Sequence, residues 1–139
     1  MQIWVNLPSR HKLTTPRIQL LGDNVDGVSL GAIPVHHGDG YQVRVVSGEH
    51  LASRSPVETF SPVTVLRVTI QAGGSFSHTL PQPHTCMLYV RRGEASVVDK
   101  DGGASSIATS CTAFLEKDGE VRPCVYSLCL RITLSQPPS

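Results

Sequence analysis

The sequence predicts an all-β domain, a sandwich or small antiparallel barrel with little or no helix. Short stretches alternate apolar and polar residues with a period of two, and twelve glycines and ten prolines punctuate them. No stretch of about ten residues or more carries a helical period, and there is no internal repeat or low-complexity tract. At 139 residues the chain has the length of one domain that can bury a core.

The N-terminal run MQIWVNL reads as a strand with Ile3 and Val5 on one face and Trp4 and Asn6 on the other, stopped by Pro8. Residues 9–16, SRHKLTTP, form a polar connector, and Arg17 to Leu21 extends briefly. Turn pairs follow at Gly22-Asp23-Asn24 and Asp26-Gly27, then a weakly extended run from Val28 to Val35 and a solvent-exposed loop, His36-His37-Gly38-Asp39-Gly40. Tyr41 to Val46 is one of the clearest strands, with Tyr41, Val43 and Val45 on one face and Ser47-Gly48-Glu49 closing it. His50 to Pro62 reads as a long polar connection.

Thr64 to Val98 forms the spine. Leu66, Val68 and Ile70 share one strand face, Ala72-Gly73-Gly74 ends that strand, Met87 to Val90 and Ala95 to Val98 are two more, and Arg91-Arg92-Gly93-Glu94 turns between them. Beyond Asp101-Gly102-Gly103, a hairpin turn, Ser105 to Leu115 holds one or two short strands. Lys117 to Glu120 turns again, Val125 to Leu134 is a last strand, and a loose tail ends the chain.

Charge and composition exclude several roles. Twelve Lys and Arg stand against eleven Asp and Glu with no block of like charge, which argues against direct nucleic-acid binding. No apolar run approaches bilayer length and the N-terminus lacks a secretory pattern, so the expectation is an intracellular protein, cytoplasmic or nuclear, with no membrane partner. Cys86, Cys111, Cys124 and Cys129 include no CxxC pair and read as buried free thiols rather than disulfides or a zinc site. No GxSxG, P-loop or HExxH motif occurs.

Four blocks resemble one family in order and spacing. They are Trp4-Val5-Asn6-Leu7-Pro8 with His11-Lys12 and Pro16-Arg17; Val43 to Glu49; Ser55 to Thr59 with Pro62 and Thr64; and Gly73, Pro81 and Tyr89-Val90 to Gly93-Glu94. Together they look like the inter-domain strand and C-terminal cupin of the pirins, which are bicupins, over about residues 1–120. The resemblance implies a cupin-like antiparallel β-barrel (double-stranded β-helix). It divides the chain into an N-terminal strand and linker, residues 1–17, and a single cupin domain, residues 18–139, truncated at its C-terminus. Pirins hold one iron in the N-terminal cupin, through three histidines and a glutamate upstream of the WVNLP block, so that half is expected to be missing here. The family's activities are cleavage of the flavonol quercetin and iron-dependent modulation of transcription-factor binding.

A cupin metal motif needs two histidines one residue apart, a glutamate soon after and a later histidine. Counting back from Gly93 puts Thr79, Pro81 and Cys86 at the first three positions and Val121 to Val125 at the last, none a usual ligand set. His78, His84 and Cys86 are the weak metal candidates, His84 and Cys86 having the HxC spacing that shares one strand face. Glu49 and Glu58 read as isolated acids and Arg91-Arg92 as a solvated turn.

The leading expectation is a shortened, non-catalytic pirin-like chain with an interaction or regulatory role and no cofactor of its own. Ile3, Trp4 and Val5, on a strand without its usual neighbour, are the expected interface, toward a strand-exchanged homodimer or another protein. The alternatives are a quercetinase-type dioxygenase with a metal site rebuilt from His78, His84 and Cys86, or a small-molecule-binding barrel lined by Leu66, Val68, Met87 and Tyr89.

Overall fold

The computed structural model describes residues 2–22, 31–80, 84–98, 103–115 and 126–131, the last stretch and Leu80 by backbone only. It is an all-β chain of antiparallel sheets, as a cupin-like fold requires, and its helical content among the described residues is one 3-10 turn at Ser9–His11. None of the described helices is long and apolar enough to cross a membrane. The chain forms two compact units, Met1–His37 with Gln42–Val68, and Gly38–Tyr41 with Thr69–Ser139.

The strands β1 (Val35–Gly38), β2 (Tyr41–Ser47) and β5 (Val65–Ile70), most of whose residues belong to the first unit, form a three-stranded sheet with β2 in the centre. The central place explains why Val43 and Val45 are fully buried while Gln42 and Arg44 are not: alternate side chains of a strand leave on opposite faces. Ser47 and Ser55 are buried too, and each hydroxyl donates to a backbone carbonyl, Ser47 to Val63 at 2.9 Å and Ser55 to Val46 at 2.7 Å. The stretch expected as a long polar connection opens instead with a small hairpin, β3 (Glu49–His50) against β4 (Ser53–Arg54). Leu51 turns it with a positive φ of 50°, and no glycine marks the place in the sequence.

The second unit contains a four-stranded sheet in the order β6 (Ser75–Leu80), β11 (Tyr126–Arg131), β8 (Ala95–Val98), β9 (Ala104–Ile107), and a pair formed by β7 (Cys86–Tyr89) and β10 (Thr112–Leu115). Its buried apolar residues are Ile70, Phe76, Val90, Ala95 and Ile107. The strand β6 goes beyond the three runs expected in the spine. Ser75, Ser77 and Thr79 face solvent, so its apolar signal is thin. What completes it is β11, which pairs Leu130 with Phe76 and Leu128 with His78 across some fifty residues of sequence. Where one or two short strands are expected between Ser105 and Leu115, there are two, β9 and β10, the first beginning at Ala104.

Several expectations lie outside the described residues: the turns from Asp23 to Gly27, the start of the Val28 run, the Asp101-Gly102 turn, the Lys117 to Glu120 turn, Cys124 and the C-terminal tail.

Two glycines separate backbone strain from crowding. Gly48 and Gly73 both have φ near +75° (77° and 75°), but a Cβ at Gly48 would lie 2.6 Å from Thr64 Oγ1 and 3.0 Å from its Cα, whereas one at Gly73 would meet nothing within 4 Å. Gly73→Ala is expected to cost about 1 kcal/mol, the left-handed penalty alone, and Gly48→Ala about 3 kcal/mol. Urea unfolding at constant m-value measures both, and equal costs would refute the crowding at Thr64.

Candidate functional site

The alternation of β6 sets the first group of candidate residues. Phe76 and His78 lie on its less exposed side, with Ser77 and Thr79 facing away. Tyr41 meets the Phe76 ring edge-on at 5.3 Å between centroids, and His78 lies parallel to it at 6.5 Å and 10°. Burial lowers the His78 pKa below the ordinary 6.5, because desolvation disfavours the imidazolium. The position assigned to a cupin histidine by counting from Gly93 was Thr79, and its side chain points outward; His78 holds the inner place. Pro81 and the stretch 121–125 lie outside the described residues.

His84 and Cys86 are both half-buried while Thr85 and Met87 are exposed, so the HxC spacing does put them on one side. Burial raises the Cys86 pKa, which keeps the thiol protonated and weakens it as a ligand or nucleophile. Among the described residues no group of three or more His, Cys, Asp or Glu is placed to hold a metal ion, and His78, His84 and Cys86 are not brought together as one. Cys86 and Cys111 are free; Cys111 is exposed, contrary to the expectation of a buried thiol, because it follows the Thr109-Ser110 turn.

The pair His36-His37, expected in a loop, lies on β1. His37 faces solvent, but His36 is half-buried and meets His50 edge-on at 5.4 Å. His50 is 2% exposed, and the sequence concealed it at the head of an apparently polar connection. Met87, expected to line a barrel interior, is 46% exposed opposite Phe114 at 70%, since the β7–β10 register makes them direct cross-strand partners on an outer face.

The N-terminal arm is organised differently from the strand its pattern suggests. Residues 2–8 have no regular structure, and Ile3, Trp4 and Val5 are 45%, 86% and 52% exposed. A strand forms only where a neighbour takes its N–H and C=O groups, and no ladder includes these residues. The arm is nevertheless pinned further along. The Gln19 side chain donates to the Glu58 carbonyl and accepts from the Glu58 N–H, both at 2.9 Å, so that one amide copies a strand-to-strand exchange. Arg17 donates to the Glu58 carboxylate at 2.9 Å and to its carbonyl at 3.0 Å, and its guanidinium sits 5.3 Å from the Phe60 ring centroid. His11 stacks on the same ring at 4.9 Å. Glu58, read as an isolated acid, is thus the anchor of the arm. The ion pair is surface-exposed and contributes less than about 1 kcal/mol alone; the amide pair and the ring contacts make it a clasp.

No family model matches the chain. Among curated proteins, it is 38% identical over 100 residues to a Pseudomonas aeruginosa protein provisionally named a quercetin 2,3-dioxygenase, a match covering 72% of this chain and 33% of that one. It is 32% identical to pirin-1 of Arabidopsis thaliana, over 70% of this chain and 31% of the relative. With human pirin it shares 30% identity over 122 residues, 88% of this chain and 39% of the relative. The chain therefore spans about a third of the length of the curated relatives it matches.

The two burial-shifted groups give opposite pH limbs. His78 resists protonation in the folded chain, so the unfolded chain binds a proton first and stability falls as pH drops below 6.5. Cys86 resists ionisation, so stability falls as pH rises above 9.0. His78→Gln is expected to flatten the acid limb and Cys86→Ser the alkaline one, read from urea midpoints at pH 5, 7.5 and 9.5; parallel curves for variant and parent would show the assignments to be wrong.

Proposed function

The chain is related to the pirin family, and from that premise we propose that it serves as a pirin-like protein-interaction module rather than a catalyst, with residues 2–8 as its docking element. The exposure of Ile3, Trp4 and Val5 on a clasped arm supports this reading most directly. In extended form Ile3 and Val5 would share one face and Trp4 the other, which suits addition to a sheet edge, where main-chain hydrogen bonds give affinity and alternate side chains give specificity.

The occupant we favour is a sheet edge of a second copy. The first 22 residues carry Arg10, Lys12 and Arg17 with no acid, leaving nine basic against eleven acidic residues in the rest, so arm and body are opposite in charge. The iron chemistry of the family is not part of this proposal. The competing reading, suggested by the provisional name of the Pseudomonas relative, is oxygenolytic cleavage of a flavonol.

A dimer is expected in sedimentation equilibrium at micromolar concentration. Paired Ile3→Asp and Val5→Asp changes should weaken it by about a hundredfold with the circular dichroism unchanged, two buried apolar anchors having been lost. A monomer whose Trp4 emission is that of a fully solvated indole would refute the docking role. Purified without a histidine tag, the protein is expected to hold substoichiometric iron and to consume no oxygen with quercetin; stoichiometric iron with oxygen uptake would establish the oxygenase instead.

A further inference from the structure

Three of the ten prolines follow a hydroxyl residue, at Thr15-Pro16, Ser55-Pro56 and Ser61-Pro62, and the fold treats the three differently. Ser55 is 6% exposed, its hydroxyl donates to the Val46 carbonyl, and it accepts from the Val57 N–H at 3.2 Å, so a kinase cannot reach it without unfolding the segment. Ser61 is half-buried. Thr15 is exposed, lies in an irregular stretch just after the turn closed by Thr14 N–H on the His11 carbonyl, and has exposed neighbours on both sides from Lys12 to Leu20.

We propose that Thr15 is a phosphorylation site for a proline-directed serine/threonine kinase, and that its phosphate releases the arm by drawing Arg17 away from Glu58 and Phe60. The transfer forms a bond between Thr15 Oγ1 and the γ-phosphorus of ATP. It breaks the bond from that phosphorus to the departing ADP, and the hydroxyl proton goes to the kinase's base.

The consequence follows from charge and reach. Thr15 and Arg17 are two residues apart, at most about 7 Å along the chain, within the span of an arginine side chain. A phosphate adds nearly two negative charges and strong acceptor oxygens, a better partner for a guanidinium than a carboxylate that is 76% exposed. Arg10 and Lys12 add to the attraction, and no acid lies within the first 22 residues to oppose it. Once Arg17 leaves, Phe60 loses its cation and the Gln19–Glu58 exchange stands alone in water. This inference is independent of the partner to which the arm docks.

The test treats the full chain with a proline-directed kinase and ATP, maps the phosphate by mass spectrometry and follows amide exchange across residues 57–60, where the Glu58 N–H donates to Gln19. Phosphate is expected at Thr15, absent in Thr15→Ala, with exchange of the Glu58 amide at least about tenfold faster, the equivalent of one lost charge-assisted hydrogen bond. In Arg17→Gln the exchange should already be fast and phosphorylation should add nothing. Phosphate only at Ser55 or Ser61, or none at all, overturns the site; phosphate at Thr15 with unchanged exchange overturns the release.

Discussion

Backbone pairing is the constraint on which the rest of the molecule depends. An extended segment must give its N–H and C=O groups to another segment or leave them to water, and the described chain meets this need in three ways. β6 finds β11 some fifty residues away; β3 and β4 fold back on each other within six residues; and at Gln19 a side-chain amide replaces the missing strand by taking both main-chain groups of Glu58. Residues 2–8 have none of these solutions, and they are the part of the chain with the most conspicuous exposed aromatic, Trp4.

That contrast gives the arm its character. It is attached at Arg17 and Gln19 through surface interactions, each weak alone, that converge on one residue and one aromatic ring. Such an attachment is strong enough to position a segment and weak enough to be reversed by one change of charge. A buried apolar anchor would have fixed the arm permanently. The clasp therefore lies between the proposed docking element, residues 2–8, and the body of the chain, next to the proposed phosphorylation site at Thr15.

The histidines illustrate how little residue type says about chemistry without placement. His78 and Phe76 share one side of β6, His84 and Cys86 share another strand's side, and His36 meets His50 in the other unit, yet no three donors converge among the described residues. Burial pushes His78 toward the neutral imidazole and Cys86 toward the neutral thiol.

The sequence by itself determined the all-β class, the clear strands β2 and β5, the buried face of β2 at Val43 and Val45, the last strand and the pirin relationship, because these rest on local alternation and on residue order. It misplaced the N-terminal strand, hid β6 behind serines and missed His50 and the Arg17–Gln19–Glu58–Phe60 clasp. Local pattern states which face a side chain would take if a strand formed. Whether it forms is decided by a partner distant in sequence, and partner choice, burial and the convergence of side chains are properties that only tertiary structure supplies.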